Sequence, residues 1–260
     1  MQITQIRNAT IIVKYNNTKF LIDPWLGPKE YMPGFEGAVN FQDRQPRVDL
    51  PFEVKDIINV DALIITHIHP DHWDKYASDA LDKNIKVFVQ SQNDKNFLTN
   101  SGFLNIEILT PDGTNFNDVK LYKTPCEHGK REIIEPVCKK LGMPYDSMGV
   151  VFKNENEPTL YIAGDTIWNN EIKNTIQKYT PEVIILNACA ASVLSGERLI
   201  MNIDDISEVL KNTPKSTKII ASHMDTVSHL TVTRNDIKEF VKNNKIDNIL
   251  IPDDGETLNF

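Results

Sequence analysis

Six histidines occur in the 260 residues, and three of them fall inside one short run, "THIHPDH", as His67, His69 and His72, with Asp71 beside the last. Imidazole nitrogens and carboxylate oxygens are the donors that divalent zinc, manganese and iron accept readily. Two histidines two apart in a turn, His67 and His69, can converge on one ion, and Asp71 with His72 can point at a second. The remaining histidines are clustered in the same way: His128 in "TPCEHGK", and His223 with His229 in "SHMDTVSH". Asp165 lies in "LYIAGDT". Each cluster follows an apolar, strand-like run, and ligands of α/β sheets gather beyond the carboxyl ends of strands. All six histidines are therefore candidates for one centre. Asp23, just before Pro24, reads as a residue that orients a histidine rather than as a ligand.

Those clusters need a scaffold, and the pattern along the chain supplies one. "TQIRN", "TIIVKY" and "TKFLID" alternate and are separated by turn residues such as Asn16 and Asn17, as in short antiparallel strands. The stretch 24–51 is rich in proline, glycine and aromatics, too irregular for one element and too long for a plain connection. A loop of that kind is expected to cover a functional site. Beyond it, strand and helix alternate: "VDALIIT" then "DHWDKYASDALDK", "IKVFVQ" then "SQNDKNFLTNSG", "MGVVFK" and "TLYIAG" then "WNNEIKNTIQKY", "EVIILNA" then "NIDDISEVLKN", "KIIAS" then "TRNDIKEFVKNN". Two β-rich halves, each ending in strand-helix units, indicate a layered α/β fold, with no low-complexity linker between them.

Composition narrows the function. A net charge of −8 leaves no broad basic face for nucleic acid. No apolar run approaches the ~20 residues that span a bilayer, and the beginning of the chain lacks the pattern of a secretory signal. Cys126, Cys138 and Cys189 are few and widely spaced, as in a reduced, cytoplasmic protein. Each reads as a small core residue, with Cys126 of interest for its place two residues before His128. A small molecule is the expected partner, without nucleic acid or membrane, and a homo-oligomer stays open.

The run "THIHPDH" resembles the T-H-x-H-x-D-H signature of the metallo-β-lactamase superfamily, and Asp23, His128, Asp165 and His223 match that family's other positions in order. The resemblance implies a four-layer αββα sandwich, one hydrolase domain over residues 1–260, and two divalent ions between the sheets. Zinc is the first expectation for both ions, with manganese or iron as alternatives. By the same resemblance His67, His69 and His128 hold one ion, Asp71, His72 and His223 hold the other, and Asp165 bridges them. "RNATIIVKYNNTKFLIDPWL" and "ASHMDTVSH" are further similar to the cytoplasmic branch of L-ascorbate-6-phosphate lactonases.

Two ions roughly 3.5–4 Å apart hold a bridging hydroxide at neutral pH and polarise the oxygen of a substrate. No Gly-x-Ser-x-Gly elbow competes as nucleophile. The expected reaction is therefore hydrolysis of a small anionic ester, lactone or phosphodiester, with Asp71 orienting the attacking water. His229 is expected to face the substrate or to hold a ligand. Arg44, Arg47, Lys130 and Arg131 are the cations that could meet an anion. The alternative is a metal-binding or regulatory protein without turnover.

Overall fold

Alternating burial builds the first sheet. The computed structural model describes residues 1–260. Strands β1 (Gln2–Arg7), β2 (Thr10–Tyr15) and β3 (Thr18–Ile22) pair antiparallel. Asn8 and Asn16 take positive φ in the turns between them, a conformation that asparagine tolerates better than most residues. A single helical turn, α1 (Val54–Ile57), precedes β4 (Ala62–Ile65), α2 (Lys75–Ala80), β5 (Lys86–Val89), α3 (Gln92–Asn100) and β6 (Asn105–Ile108). Strands β3 to β6 run parallel, as strand-helix-strand units require.

The second sheet repeats the plan. A meander of β7 (Thr114–Phe116) and β8 (Val119–Pro125) is followed by α4 (Arg131–Leu141), β9 (Met148–Asn154) and β10 (Glu157–Ile162), with the strands antiparallel. Then α5 (Asn170–Tyr179), β11 (Val183–Asn187), α6 (Ile203–Lys211), β12 (Lys218–Ser222), α7 (Arg234–Asn244) and β13 (Ile249–Leu250) add parallel strands. The last strand, β14 (Thr257–Asn259), returns to pair with β1, so each sheet has seven strands.

Period-two burial explains the four layers. In β4, Ala62 and Ile64 face the core between the sheets, while Leu63 and Ile65 face a second core under Ala77 and Leu98 of α2 and α3. In β11, Val183 and Ile185 face the inter-sheet core, and Ile184 and Leu186 pack against Ile172, Ile206 and Ile237 of the three helices on that side. Strands buried on both faces read as continuous apolar runs, the pattern seen in the sequence. The expected αββα sandwich is the observed fold.

Two local readings change. The segment after β4 is not helical from Asp71 onward; α2 begins at Lys75, because the Asp74 side chain caps it by accepting the Ala77 N–H. Residues 66–73 stay in an open turn, which leaves their imidazoles free to point inward. Helix α4 was not anticipated. Its apolar positions Ile134, Val137, Cys138 and Leu141 have helical spacing, but Pro136 sits inside it and masks the signal.

The stretch 24–51 forms no long element, and its anchors are polar. Arg7 is fully buried and donates to the carbonyls of Trp25, Gly27 and Val48 at 2.7, 2.8 and 3.1 Å. Trp25 Nε1 donates to the Tyr31 hydroxyl at 2.9 Å, and that hydroxyl donates to Asp74 Oδ2 at 3.2 Å. Asp74 thus ties the start of the loop to the turn that carries the histidines.

Candidate metal centre

One end of the sandwich collects every candidate. Asp23 follows β3, the run from His67 to His72 follows β4, His128 follows β8, Asp165 follows β10 and His223 follows β12. All are buried. Asp23 and His223 adopt positive φ (45° and 63°), a strained turn for residues other than glycine that swings each side chain back over its sheet. Gly164 also has positive φ, and a Cβ there would collide with the Met148 carbonyl, so only glycine lets the chain turn Asp165 inward.

The five rings around Asp165 share one arrangement: the outward nitrogen has a partner and the inward nitrogen faces the centre. His72 Nδ1 donates to Asp23 Oδ2 at 2.9 Å. His69 Nε2 donates to the Pro144 carbonyl at 2.6 Å, and His128 Nδ1 donates to the Leu199 carbonyl at 2.9 Å. His67 Nδ1 lies 3.1 Å from Thr66 Oγ1, whose own proton goes to Asp23 Oδ2 at 2.7 Å. His223 Nδ1 lies 3.5 Å from Cys189 Sγ. Such partners fix tautomer and ring orientation.

The inward nitrogens then confront one another. His128 Nε2 is 3.3 Å from His69 Nδ1, His223 Nε2 is 3.3 Å from His72 Nε2, and His67 Nε2 is buried with no partner at all. Imidazole nitrogens crowded against one another and against buried carboxylates, with one left without a partner, are what a cation would resolve; the donor set fits divalent ions of the zinc type. Three sets of donor atoms each lie within 4.8 Å of one another: His67, His69 and His128; Asp71, His72 and His223; and His67, His72 and Asp165, which joins the first two. Asp165 Oδ2 lies between them, 3.5 Å from His128 Nε2, 3.9 Å from His67 Nε2, 3.2 Å from His72 Nε2 and 4.0 Å from His223 Nε2. Its other oxygen is held by Asn187 Nδ2 at 2.6 Å.

Charge follows the same division. Burial alone would raise the Asp71 and Asp165 carboxyls, yet the surrounding imidazoles, His72 foremost, hold both below the usual carboxylate range. Burial would lower His72, but Asp165, Asp23 and Asp71 raise it to about 10.

His229 stands apart from both groups. Burial lowers its ring to about 4, Nδ1 has no partner, and the ring meets Phe35 edge-on at 5.2 Å between centroids. It lines a pocket that opens onto His69, Asp71, His128 and Asp165. The rest of the wall is largely apolar, with Ile134, Val137, Cys138 and Leu141 from α4 and Phe35 from the stretch 24–51. The space open to water-sized groups is about 50 Å³. The loop therefore reaches the centre as expected, and α4 is the wall that sequence reasoning missed.

The four cations considered for substrate are placed elsewhere. Arg44 donates to the carbonyls of Glu30 and Tyr31, Arg131 pairs with Asp146 and lies over Tyr145, Lys130 faces Glu197, and Arg47 is exposed. None lines the pocket, and Glu36 does. Cys126 donates to the Ala163 carbonyl at 3.0 Å, and burial pushes its thiol up, the opposite of an activated nucleophile. Asn8 and Asn187, which touch the centre, carried no signal beyond being polar residues near strand ends. No helix is long and apolar enough to cross a membrane.

Comparison with known proteins agrees with this geometry. A model of the beta-lactamase superfamily domain matches residues 18–224. The chain is 44% identical over 262 residues to the UPF0173 protein YddR of Bacillus subtilis (strain 168), covering all of both chains. Among solved structures, a possible metal-dependent hydrolase from Veillonella parvula DSM 2008 is 42% identical, with 99% of this chain and 98% of that one covered and a TM-score of 0.94. An isothiocyanate hydrolase from Delia radicum gut bacteria is 40% identical, with 100% and 99% covered and a TM-score of 0.94.

Proposed function

The chain belongs to the beta-lactamase superfamily, and from that membership we propose that it is a metal-dependent hydrolase of small, uncharged, largely apolar substrates with an electrophilic carbon. The observation that carries the substrate class is the pocket wall: apolar residues of α4 and Phe35 lead to the histidines, and no lysine or arginine lies among them. Away from the ions, an anionic ester, a phosphorylated lactone or a phosphodiester finds no cationic side chain on this wall and meets Glu36. An isothiocyanate has an electrophilic central carbon, no charge and an apolar substituent, and a relative that shares the fold over its whole length hydrolyses that class.

His67, His69 and His128 would hold one divalent ion and Asp71, His72 and His223 the other, with Asp165 reaching both. Such ions supply an acidified water and a positive field for the atom on which charge develops. The chain's own residues do the rest. Asp71 lies at the pocket floor, where its carboxylate accepts a proton of the attacking water and aims the oxygen at the substrate carbon. His229 stays neutral at physiological pH and offers a ring N–H to the substrate atom that becomes negative. Ile134, Val137 and Leu141 exclude bulk water and hold the apolar substituent.

The test is a substrate panel with the Zn²⁺-loaded and the chelated protein: benzyl isothiocyanate, an uncharged lactone, an aryl acetate, a carboxylated aryl ester and bis(p-nitrophenyl) phosphate. Turnover of uncharged members, abolished by chelator and restored by Zn²⁺, is the expected result. Preferred turnover of the phosphodiester or the carboxylated ester would overturn the substrate class. Bound metal without any turnover would point to a binding protein.

A further inference from the structure

Asn8 is fully buried, sits at φ 57° in the turn between β1 and β2, and reaches the centre from a strand pair that supplies no ligand. Its Nδ2 donates to the Asp71 carbonyl at 3.0 Å and lies 3.5 Å from Asp71 Oδ2 and 3.2 Å from His223 Nε2. Its own carbonyl accepts the His223 N–H at 3.1 Å, Ser222 Oγ at 3.2 Å and Gln5 Nε2 at 2.8 Å. Oδ1 is buried with no partner. A left-handed backbone and an unsatisfied buried acceptor are both destabilising, and such costs concentrate where function holds them in place.

We propose that Asn8 is a positioning residue that pre-sets Asp71 and His223 for the second of the two ions. The proposal rests on the two-ion reading above. The chemistry is that of the carboxamide N–H groups. One fixes the peptide of Asp71, and so the direction of its carboxylate. The other lies 3.2 Å from His223 Nε2, and the Asn8 carbonyl accepts the His223 N–H, so the same residue sets where that ring stands relative to Asp71. Both effects fall on the group Asp71, His72 and His223 and neither on His67, His69 and His128. Asn8 therefore tunes one ion and not the other.

Two substitutions separate the side chain from the backbone. Asn8→Gly removes the carboxamide at a φ that glycine adopts freely, and Asn8→Ala removes it while keeping a Cβ in the left-handed region. Zn²⁺ is added calorimetrically to the metal-free wild type and both variants, and thermal melting is recorded for each. The wild type should take up two ions. Both variants should keep the first ion at wild-type affinity and bind the second about ten- to a hundredfold more weakly. Asn8→Gly should melt above Asn8→Ala although the two share the metal defect. Wild-type affinity for both ions in Asn8→Gly, or a defect confined to Asn8→Ala, would overturn the role of the carboxamide alone. Uptake of a single ion by the wild type would overturn the two-ion reading itself, and this proposal with it.

Discussion

Replacing Asp23 by asparagine changes one charge and almost no volume, yet it should disable a histidine that Asp23 itself only orients. Asp23 is buried and accepts three hydrogen bonds, from Thr66 N at 2.7 Å, Thr66 Oγ1 at 2.7 Å and His72 Nδ1 at 2.9 Å. An asparagine offers one accepting oxygen and one NH₂ group. With the oxygen kept on the Thr66 N–H, the NH₂ faces Thr66 Oγ1 and His72 Nδ1. The hydroxyl accepts readily, but the imidazole must give up its Nδ1 proton, which moves to Nε2. That nitrogen is the one aimed at Asp165 and His223. The ion held by Asp71, His72 and His223 should bind about ten- to a hundredfold more weakly, which is roughly 1.4–2.7 kcal/mol. Competition for Zn²⁺ with a chromophoric chelator measures the affinity, and ¹⁵N NMR of the imidazoles reads the tautomer of His72. An unchanged affinity for both ions, with the proton still on Nδ1, would refute the reasoning.

Three further outcomes are expected. His229→Ala should lower kcat about ten- to a thousandfold, as for a lost electrostatic donor, with metal content by elemental analysis unchanged. Val137→Lys places an ammonium on the pocket face of α4 and should cut kcat/KM for an uncharged substrate about tenfold, roughly 1.4 kcal/mol, while raising it for the carboxylated analogue; the ratio of the two, from initial rates, is the readout. Arg7→Ala removes charged donors from three carbonyls and should cost about 3–5 kcal/mol, so that at roughly 2–4 °C per kcal/mol the melting temperature falls by about 6–20 °C in a calorimetric scan.

Much of the centre was legible because metal ligands must be particular residue types at the ends of apolar strands. The six histidines stand out on that ground, the resemblance to the metallo-β-lactamase signature narrows them to His67, His69, His72, His128 and His223 and adds Asp71 and Asp165, and the structure brings these seven together at one end of the two sheets. The layers were legible for a related reason: "ALII" and "VIIL" are apolar at every position, which only a strand buried on both faces requires. The substrate side was not legible. Pro136 hid α4, and with it the apolar wall, so Lys130 and Arg131 looked free to meet an anion. Once the helix forms, Ile134 and Val137 turn towards the pocket, and the two cations turn outward to Glu197 and Asp146. Asn8 escaped notice because an asparagine in a tight turn already has a sufficient local reason to be there. Its approach to Asp71 and His223 depends on the two sheets closing against each other.

The most direct measurement is an anomalous difference map from crystals of the Zn²⁺-loaded protein, recorded on both sides of the zinc absorption edge. Two peaks should appear, one enclosed by His67, His69 and His128, the other by Asp71, His72 and His223, with Asp165 touching both. A single peak, or peaks outside these side chains, would contradict the two-ion centre.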